Sequence, residues 1–374
     1  MKGIYFTTMC DIMNVSNNVS SGIQKKIRQQ FDLLQNSGID MYFYYSHNNS
    51  RLYKIVHRMP FFRDRFLLPD EVLSSADFIY LRKPFTINMG YIDFLKRIRN
   101  SNSKIKVLLE IPTYPYDNEI QGLKDLPLKL KDRYARKKLK DYVDVALTYS
   151  DDKKIFGMKT LNISNGVDAL RISKMTQQYP YAKNDKLRFI ACAKFSFWHG
   201  YDRVIEGLYQ YFQKPNAYRN IEIEMVGDGD SVELYKQLVR KYNLQNYVKF
   251  YGVRQGDDLI KIYSKCDIGF DSMGRHRSGV FYNSSLKGKE YCAYGLMIVS
   301  GVKTELDNVK DFEYYYRIPA DDSPVDFEKI IEFYNAKMVT DKIKVKNKIA
   351  DYAKKHFSME VVFQPIIDFI KQGC

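Results

Sequence analysis

Apolar strand segments alternate with amphipathic helices along this chain, and the alternation starts afresh about half-way. That pattern limits the fold more than any other feature, because β/α alternation brings parallel strands together and lays helices on both faces of the sheet. In the first half KGIYFTTM reads as a strand. A polar loop from Asn14 to Gly22 follows, then a helix whose apolar face carries Ile23, Ile27, Phe31 and Leu34 and which stops at Gly38. MYFYYS, ADFIYLR, IKVLLEIP and VDVALTYS supply further strands, with a helix over GYIDFLKRIRN. The second half reads KLRFIACAKF, IEIEMVG, YVKFYG, CDIGFDS and LMIVSG as strands, separated by helices over YDRVIEGLYQYF, SVELYKQLVRKY, DDLIKIYSKC and LKGKEYCAYG. A closing helix, MEVVFQPIIDFIKQ, is expected to bend or restart at Pro365.

At 374 residues the chain exceeds what one hydrophobic core organises. The expectation is an α/β protein of two Rossmann-like, doubly wound domains, residues 1–165 and 166–355, divided near LNISNGVD, with 356–374 as a helix crossing back to the first domain. Five cysteines without a close pair or a histidine cluster give neither a disulfide framework nor a zinc site. No apolar run is long enough to span a bilayer and no cleavable leader is evident, so a cytoplasmic location is expected. The net charge is +15, and residues 1–165 hold 27 Lys and Arg against 17 Asp and Glu. Such an excess suits phosphorylated ligands or an anionic membrane surface; nucleic acid is disfavoured because no recognition motif accompanies it.

Ligands of open α/β sheets bind beyond the carboxyl ends of the strands. Four loops of the second half meet that condition. In Ala193–Gly200, Lys194 and His199 flank a helix start and could grip a diphosphate, with His199 either as the imidazolium or as a neutral donor of one hydrogen bond beside the charge of Lys194. In Gly227-Asp228-Gly229-Asp230 the glycines would let backbone N–H groups approach a ligand, although such a turn is often only a turn. The third loop is the Gly252-Val253-Arg254 turn. The fourth, Arg275–Gly295, offers Ser284 and Ser285 as caps, Lys287 as a cation, and Glu290, which either accepts ribose hydroxyls or simply complements the helix dipole.

In order and spacing these residues resemble the donor domain of GT-B glycosyltransferases, closest to glycosyltransferase family 4 of the bacterial surface-polysaccharide type. Ala193-Lys194 and His199-Gly200 stand where that family has Gly-Arg and Lys-Gly; MVGDGD, Phe250-Tyr251-Gly252 and Glu290-Tyr291-Cys292-Ala293-Tyr294-Gly295 match its later motifs. Ser20-Ser21-Gly22 resembles its glycine-rich loop after the first strand, and Asn165-Gly166-Val167 its interdomain linker. The resemblance implies that Lys194 and His199 hold the donor diphosphate, that Gly22, Gly227, Val253, Ser284, Ser285, Leu286 and Lys287 line the donor site, and that Glu290 binds the ribose. It also implies retaining chemistry on a UDP- or GDP-linked sugar, with no cofactor or metal. The family commonly has a second glutamate eight residues before the ribose-binding one. Tyr282 occupies that position, leaving donor-sugar recognition to Arg277, Ser278 or Gly279.

Glu110, Asp117 and Glu119 follow a buried strand, where they are expected to orient acceptor hydroxyls or accept a proton, Glu110 foremost. The basic stretch 128–140 and the basic, aromatic stretch 51–68 with Phe61, Phe62, Phe66 and Leu67 read as surface facing an anionic membrane or the acceptor; for 128–140 a solvated helix face is equally apt. The expected activity is transfer of a sugar from a nucleotide sugar to a glycan or polyprenyl-linked saccharide. The rivals are a sugar-nucleotide epimerase and a catalytically inactive nucleotide-sugar-binding protein.

Overall fold

Alternate residues of β1 (Lys2–Thr7) face opposite ways, and both ways are dry. Ile4 and Phe6 enter one apolar cluster with Phe94, while Tyr5 enters another with Ile27 and Phe31. Burial on both faces is why the strand reads as a nearly continuous apolar run. A computed structural model describes residues 1–9, 22–46, 50–119, 122–181, 186–338 and 341–372. The chain divides into two units, Met1–Ile163 with Phe363–Cys374, and Ser164–Val362.

In unit 1, β1 is joined by β2 (Asp40–Tyr45), β3 (Phe78–Arg82), β4 (Lys106–Ile111), β5 (Val145–Thr148), β6 (Lys154–Ile155) and β7 (Met158–Asn162). Their order is β2-β1-β3-β4-β5-β7-β6, parallel throughout except for the antiparallel β6–β7 pair. The helices are α1 (Gly22–Asn36), α2 (Arg51–Val56), α3 (Asp70–Ser75), α4 (Met89–Ser101) and α5 (Leu126–Ala135). The basic stretch 128–140 is not one helix: α5 gives way to a 3₁₀ segment at Arg136, and Arg136 turns inward to Asp117 at 3.0 Å and over the Phe156 ring.

In unit 2, α6 (Ala169–Gln178) leads into a six-stranded, wholly parallel sheet. Its strands are β8 (Leu187–Cys192), β9 (Ile221–Val226), β10 (Val248–Gly252), β11 (Ile268–Phe270), β12 (Met297–Ser300) and β13 (Tyr315–Arg317). The order is β10-β9-β8-β11-β12-β13. Packed with it are α7 (Tyr201–Phe212), α8 (Val232–Lys241), α9 (Gly256–Tyr263), α10 (Leu286–Ala293), α11 (Phe327–Lys337) and α12 (Lys342–His356).

The last helix, α13 (Met359–Lys371), continues through Pro365 rather than restarting there. Pro365 is exposed, as is Val361, whose carbonyl loses its helical donor on the solvent-facing side of the helix. Phe363, Ile366, Ile367 and Ile370 are buried in the same cluster as Tyr5 and Phe31, so the chain from Phe363 onward belongs to unit 1. Among the described residues no helix is long and apolar enough to cross a membrane.

Candidate functional site

The strand order of unit 2 reverses between β8 and β11, and the loops that leave these neighbours in opposite directions open a crevice beyond their carboxyl ends. Backbone bonds lace the loops together. Phe195 N–H donates to Asp228 O at 2.8 Å, Ser231 N–H to Phe195 O at 3.2 Å, and Met273 N–H to His199 O at 2.7 Å. Two glycines permit this. A Cβ on Gly227 (φ 129°) would lie 1.8 Å from Ala193 O, and one on Gly229 (φ 149°) 2.3 Å from Phe195 O. The Gly-x-Gly turn therefore serves loop-to-loop contact. The Gly227 N–H is already given to Gly252 O at 2.8 Å, so the expectation that it meets a ligand is corrected.

His199 is 7% exposed and sits in a capping box in which its Nδ1 accepts from Ser196 N–H at 2.9 Å. The remaining proton belongs on Nε2. Burial, reinforced by the charges of Lys287 and Arg275, pushes the imidazole pKa down to about 2. Of the two states open from the sequence, this environment favours the neutral ring offering one N–H. Lys194, exposed beside it, forms no ion pair among the described residues.

The first turn of α10 is built on Asp271, wholly buried just past β11. Asp271 accepts from Ser285 Oγ at 2.6 Å and Ser300 Oγ at 3.2 Å, and stands 3.7 Å from Lys287 Nζ. Ser285 Oγ also caps Gly288 N–H. Ser284 Oγ accepts from Asn165 N–H at 3.0 Å and donates to Glu305 at 2.8 Å, and Glu305 pairs with the buried Lys289 at 2.7 Å. Both serine hydroxyls are consumed by the fold, which corrects their assignment as side-chain ligands. They hold the start of α10, with Leu286 and Lys287 in its first turn, where helix N–H groups attract anions. Glu290 lies half-buried further along α10. Its charge adds to the burial that raises the thiol of Cys192, the last residue of β8, to about 12. Tyr291 closes the arrangement, accepting from Cys192 N–H at 3.0 Å and donating to Phe270 O at 3.1 Å.

Arg277 is not available to a donor sugar. It grips Asp202 with two bonds of 2.9 and 2.7 Å and Asp322 with a third of 2.7 Å, clamping the loop. Its neighbour Arg275, passed over in the sequence, is 7% exposed with its guanidinium 5.6 Å from the Trp198 ring centre, and its charge acts on His199. The only signal for it was the Arg-His-Arg run, which does not say which arginine turns inward. Val253 is 60% exposed in the turn after β10, and Tyr282 makes an isolated bridge with Lys303.

In unit 1, Gly22 opens α1; Ser20, Ser21 and the rest of the loop at 10–21 lie outside the described residues. Glu110 is wholly buried. Arg82 Nη1 reaches it at 2.6 Å, Lys26 Nζ at 3.4 Å, Tyr80 OH at 2.8 Å and Tyr149 OH at 3.0 Å. Burial alone would raise its pKa, but Arg82 and Lys26 outweigh it and hold the carboxyl at about 2. With both oxygens committed inside the unit, Glu110 is a structural anion and not the expected proton acceptor. Asp117 is likewise bridged to Arg136 and Arg133. The switch point of this sheet, between β1 and β3, adjoins a groove of about 1430 Å³ lined by Thr8, Phe61, Phe62, Arg65 and Phe85. Asp64 fixes one wall of it through Tyr53 OH at 2.7 Å, Asn88 Nδ2 at 2.7 Å and His57 Nε2 at 3.2 Å.

Residues 175–273 match the family model described as Glycosyl transferases group 1. No curated protein sequence matches the chain significantly. Solved structures do match over nearly the whole length. A glycosyltransferase of Rickettsia africae is 12% identical with a TM-score of 0.61, covering 99% of this chain and 98% of that one. HepE of Anabaena, solved with UDP, is 16% identical with a TM-score of 0.60, covering 99% of each. Sucrose-phosphate synthase of Thermosynechococcus elongatus is 13% identical with a TM-score of 0.66, covering 100% and 99%. With two doubly wound units of this kind and a group 1 match that spans the loops after β8, β9 and β10, the chain is a glycosyltransferase of the GT-B fold.

Proposed function

We propose that the chain transfers a hexosyl unit, with retention of configuration, from a UDP- or GDP-linked sugar to a glycan or polyprenyl-linked saccharide in surface-polysaccharide synthesis at the inner face of a membrane. The observation that carries the donor half of this reading is the gathering of Lys194, His199, Lys287 and Glu290 around one switch-point crevice, with the N-terminus of α10 among them. Lys194, Lys287 and the first-turn N–H groups of α10 neutralise the departing diphosphate, which is the main electrostatic task of the reaction. His199 adds one neutral hydrogen bond from Nε2. Glu290 accepts the ribose hydroxyls. The complex of HepE with UDP supports a uridine nucleotide as the first candidate donor.

The groove of unit 1, with arginine and phenylalanine on its walls, is where an acceptor that is partly apolar and partly anionic would lie. Thermal-shift titration with UDP, GDP and their hexose conjugates tests the donor, since a ligand that binds only the folded state raises its melting temperature. Transfer of labelled sugar to a polyprenyl-linked acceptor tests the reaction. Absence of any nucleotide-dependent shift, or sugar-nucleotide turnover that needs no acceptor, would overturn the reading.

A further inference from the structure

Two short helices of unit 1 carry large apolar side chains on their outer surface. On α2 and the turn after it, Leu52, Ile55 and Met59 are 70%, 59% and 53% exposed. On α5, Leu126, Leu130 and Tyr134, spaced four apart and so on one helical face, are 48%, 55% and 62% exposed. The two stripes are neighbours. Arg58 Nε bonds Asp125 at 2.9 Å, and Lys131 Nζ bonds the Met59 carbonyl at 2.9 Å. Single exposed leucines are ordinary on a protein surface, but two adjoining stripes form a patch that needs an occupant.

Charge decides which occupant. The acids of α5 and its N-cap are spent internally: Asp125 on Arg58, and Asp132 on Ile87 N–H at 2.8 Å and Tyr116 OH at 2.8 Å. Arg51, Lys129, Lys137 and Lys140, by contrast, form no ion pair among the described residues. Apolar side chains set among unpaired cations fit the boundary of an anionic bilayer, where the side chains enter the headgroup layer and the cations meet lipid phosphates.

We infer that α2 and α5 together form the surface by which unit 1 docks on an anionic lipid bilayer. The inference rests on the membrane-facing reading of the function and names the residues responsible. The test is cosedimentation with vesicles of mixed phosphatidylglycerol and phosphatidylcholine, or of phosphatidylcholine alone. The proteins are wild type, Leu52→Glu with Ile55→Glu, Leu130→Glu with Tyr134→Glu, and a charge variant, Lys129→Gln with Lys137→Gln. Wild type is expected to bind the mixed vesicles in low salt and to leave neutral ones. Each apolar variant should lose about tenfold in partitioning, and the charge variant's deficit should vanish at high salt. All three should keep the wild-type nucleotide-dependent thermal shift, which reads unit 2 and shows that the chain is folded. Wild-type binding that every variant retains overturns this surface while leaving a membrane role standing. Failure of wild type to sediment overturns both. A lipid-independent dimer that the same substitutions dissolve makes a second copy of the chain the occupant and overturns the bilayer.

Discussion

Replacing Glu110 with glutamine keeps the shape of the side chain and removes an acid that faces both Lys26 and Arg82. Arg82, itself buried, then loses this carboxylate, the situation in which breaking a buried ion pair costs about 3 to 5 kcal/mol. The depressed acidity gives a second route to the size of the effect. A carboxyl held at about 2 in the folded unit, against 4.5 as its ordinary value, is worth about 3 kcal/mol at neutral pH. Because the folded-state value is the lower one, this stability is complete above about pH 4.5 and is lost as pH falls towards 2. Lys26, already lowered to about 8 by burial against the opposing pull of Glu110, should move further down in the variant. With two structural units a single unfolding free energy is ill-defined, so the assay must resolve the units. Hydrogen exchange read peptide by peptide does so. Glu110→Gln should accelerate exchange in β1, β3, β4 and β5 at pH 7, leave β8 to β12 near wild type, and flatten the acid dependence between pH 5 and 3. Protection of unit 1 that falls by less than about 1 kcal/mol would refute the argument, because an isolated buried charge pair cannot be cut so cheaply.

His199, neutral in this environment, should contribute no charge to donor binding. Nucleotide dissociation constants of wild type and His199→Gln, measured from pH 5.5 to 8.5, should run parallel; wild-type affinity that strengthens on acidification and loses that slope in the variant would restore the imidazolium. Glu290→Ala should weaken nucleotide binding by about 1 to 3 kcal/mol in calorimetry without lowering the melting temperature, and unchanged affinity would reject the ribose contact. Gly227→Ala should destabilise unit 2 by at least about 2 kcal/mol in thermal unfolding, since its Cβ meets a backbone oxygen that cannot move aside, and a wild-type melting temperature would show that the loops separate freely.

Periodicity made much of the fold legible, because a strand buried on both faces and a helix buried on one leave their period in the apolar residues. It failed where an element is short or mostly solvated. The hairpin of β6 and β7, with β6 only two residues long, carries too few apolar positions to register, and α2, α3 and β13 are similarly brief. α6 and α12 were missed because charged and polar residues dominate them and few positions are buried. At the site, loops were legible from glycines and cations next to strand ends, but not the partners that decide what each side chain does. Asp202 lies 75 residues from Arg277, and Asn165 lies 119 from Ser284, so local spacing carries no trace of either bond. Glu110 illustrates the same gap: an acid closing a buried strand looks like a catalytic group until Arg82 and Lys26 are seen to fill its coordination.

The chain contains one tryptophan, and it stands in the loop between β8 and α7, half-buried, with Phe197 at 4.9 Å, His199 at 6.1 Å and the Arg275 guanidinium at 5.6 Å. Indole emission from this protein therefore has a single origin, beside Lys194 and His199, and every other region is silent at excitation wavelengths that spare tyrosine. Any anion that draws Arg275 off the ring, or any rearrangement of the loop around it, changes the polarity that sets the emission maximum. The native protein is its own fluorescent sensor for events in that crevice, and stopped-flow mixing can time them without a label or an engineered residue.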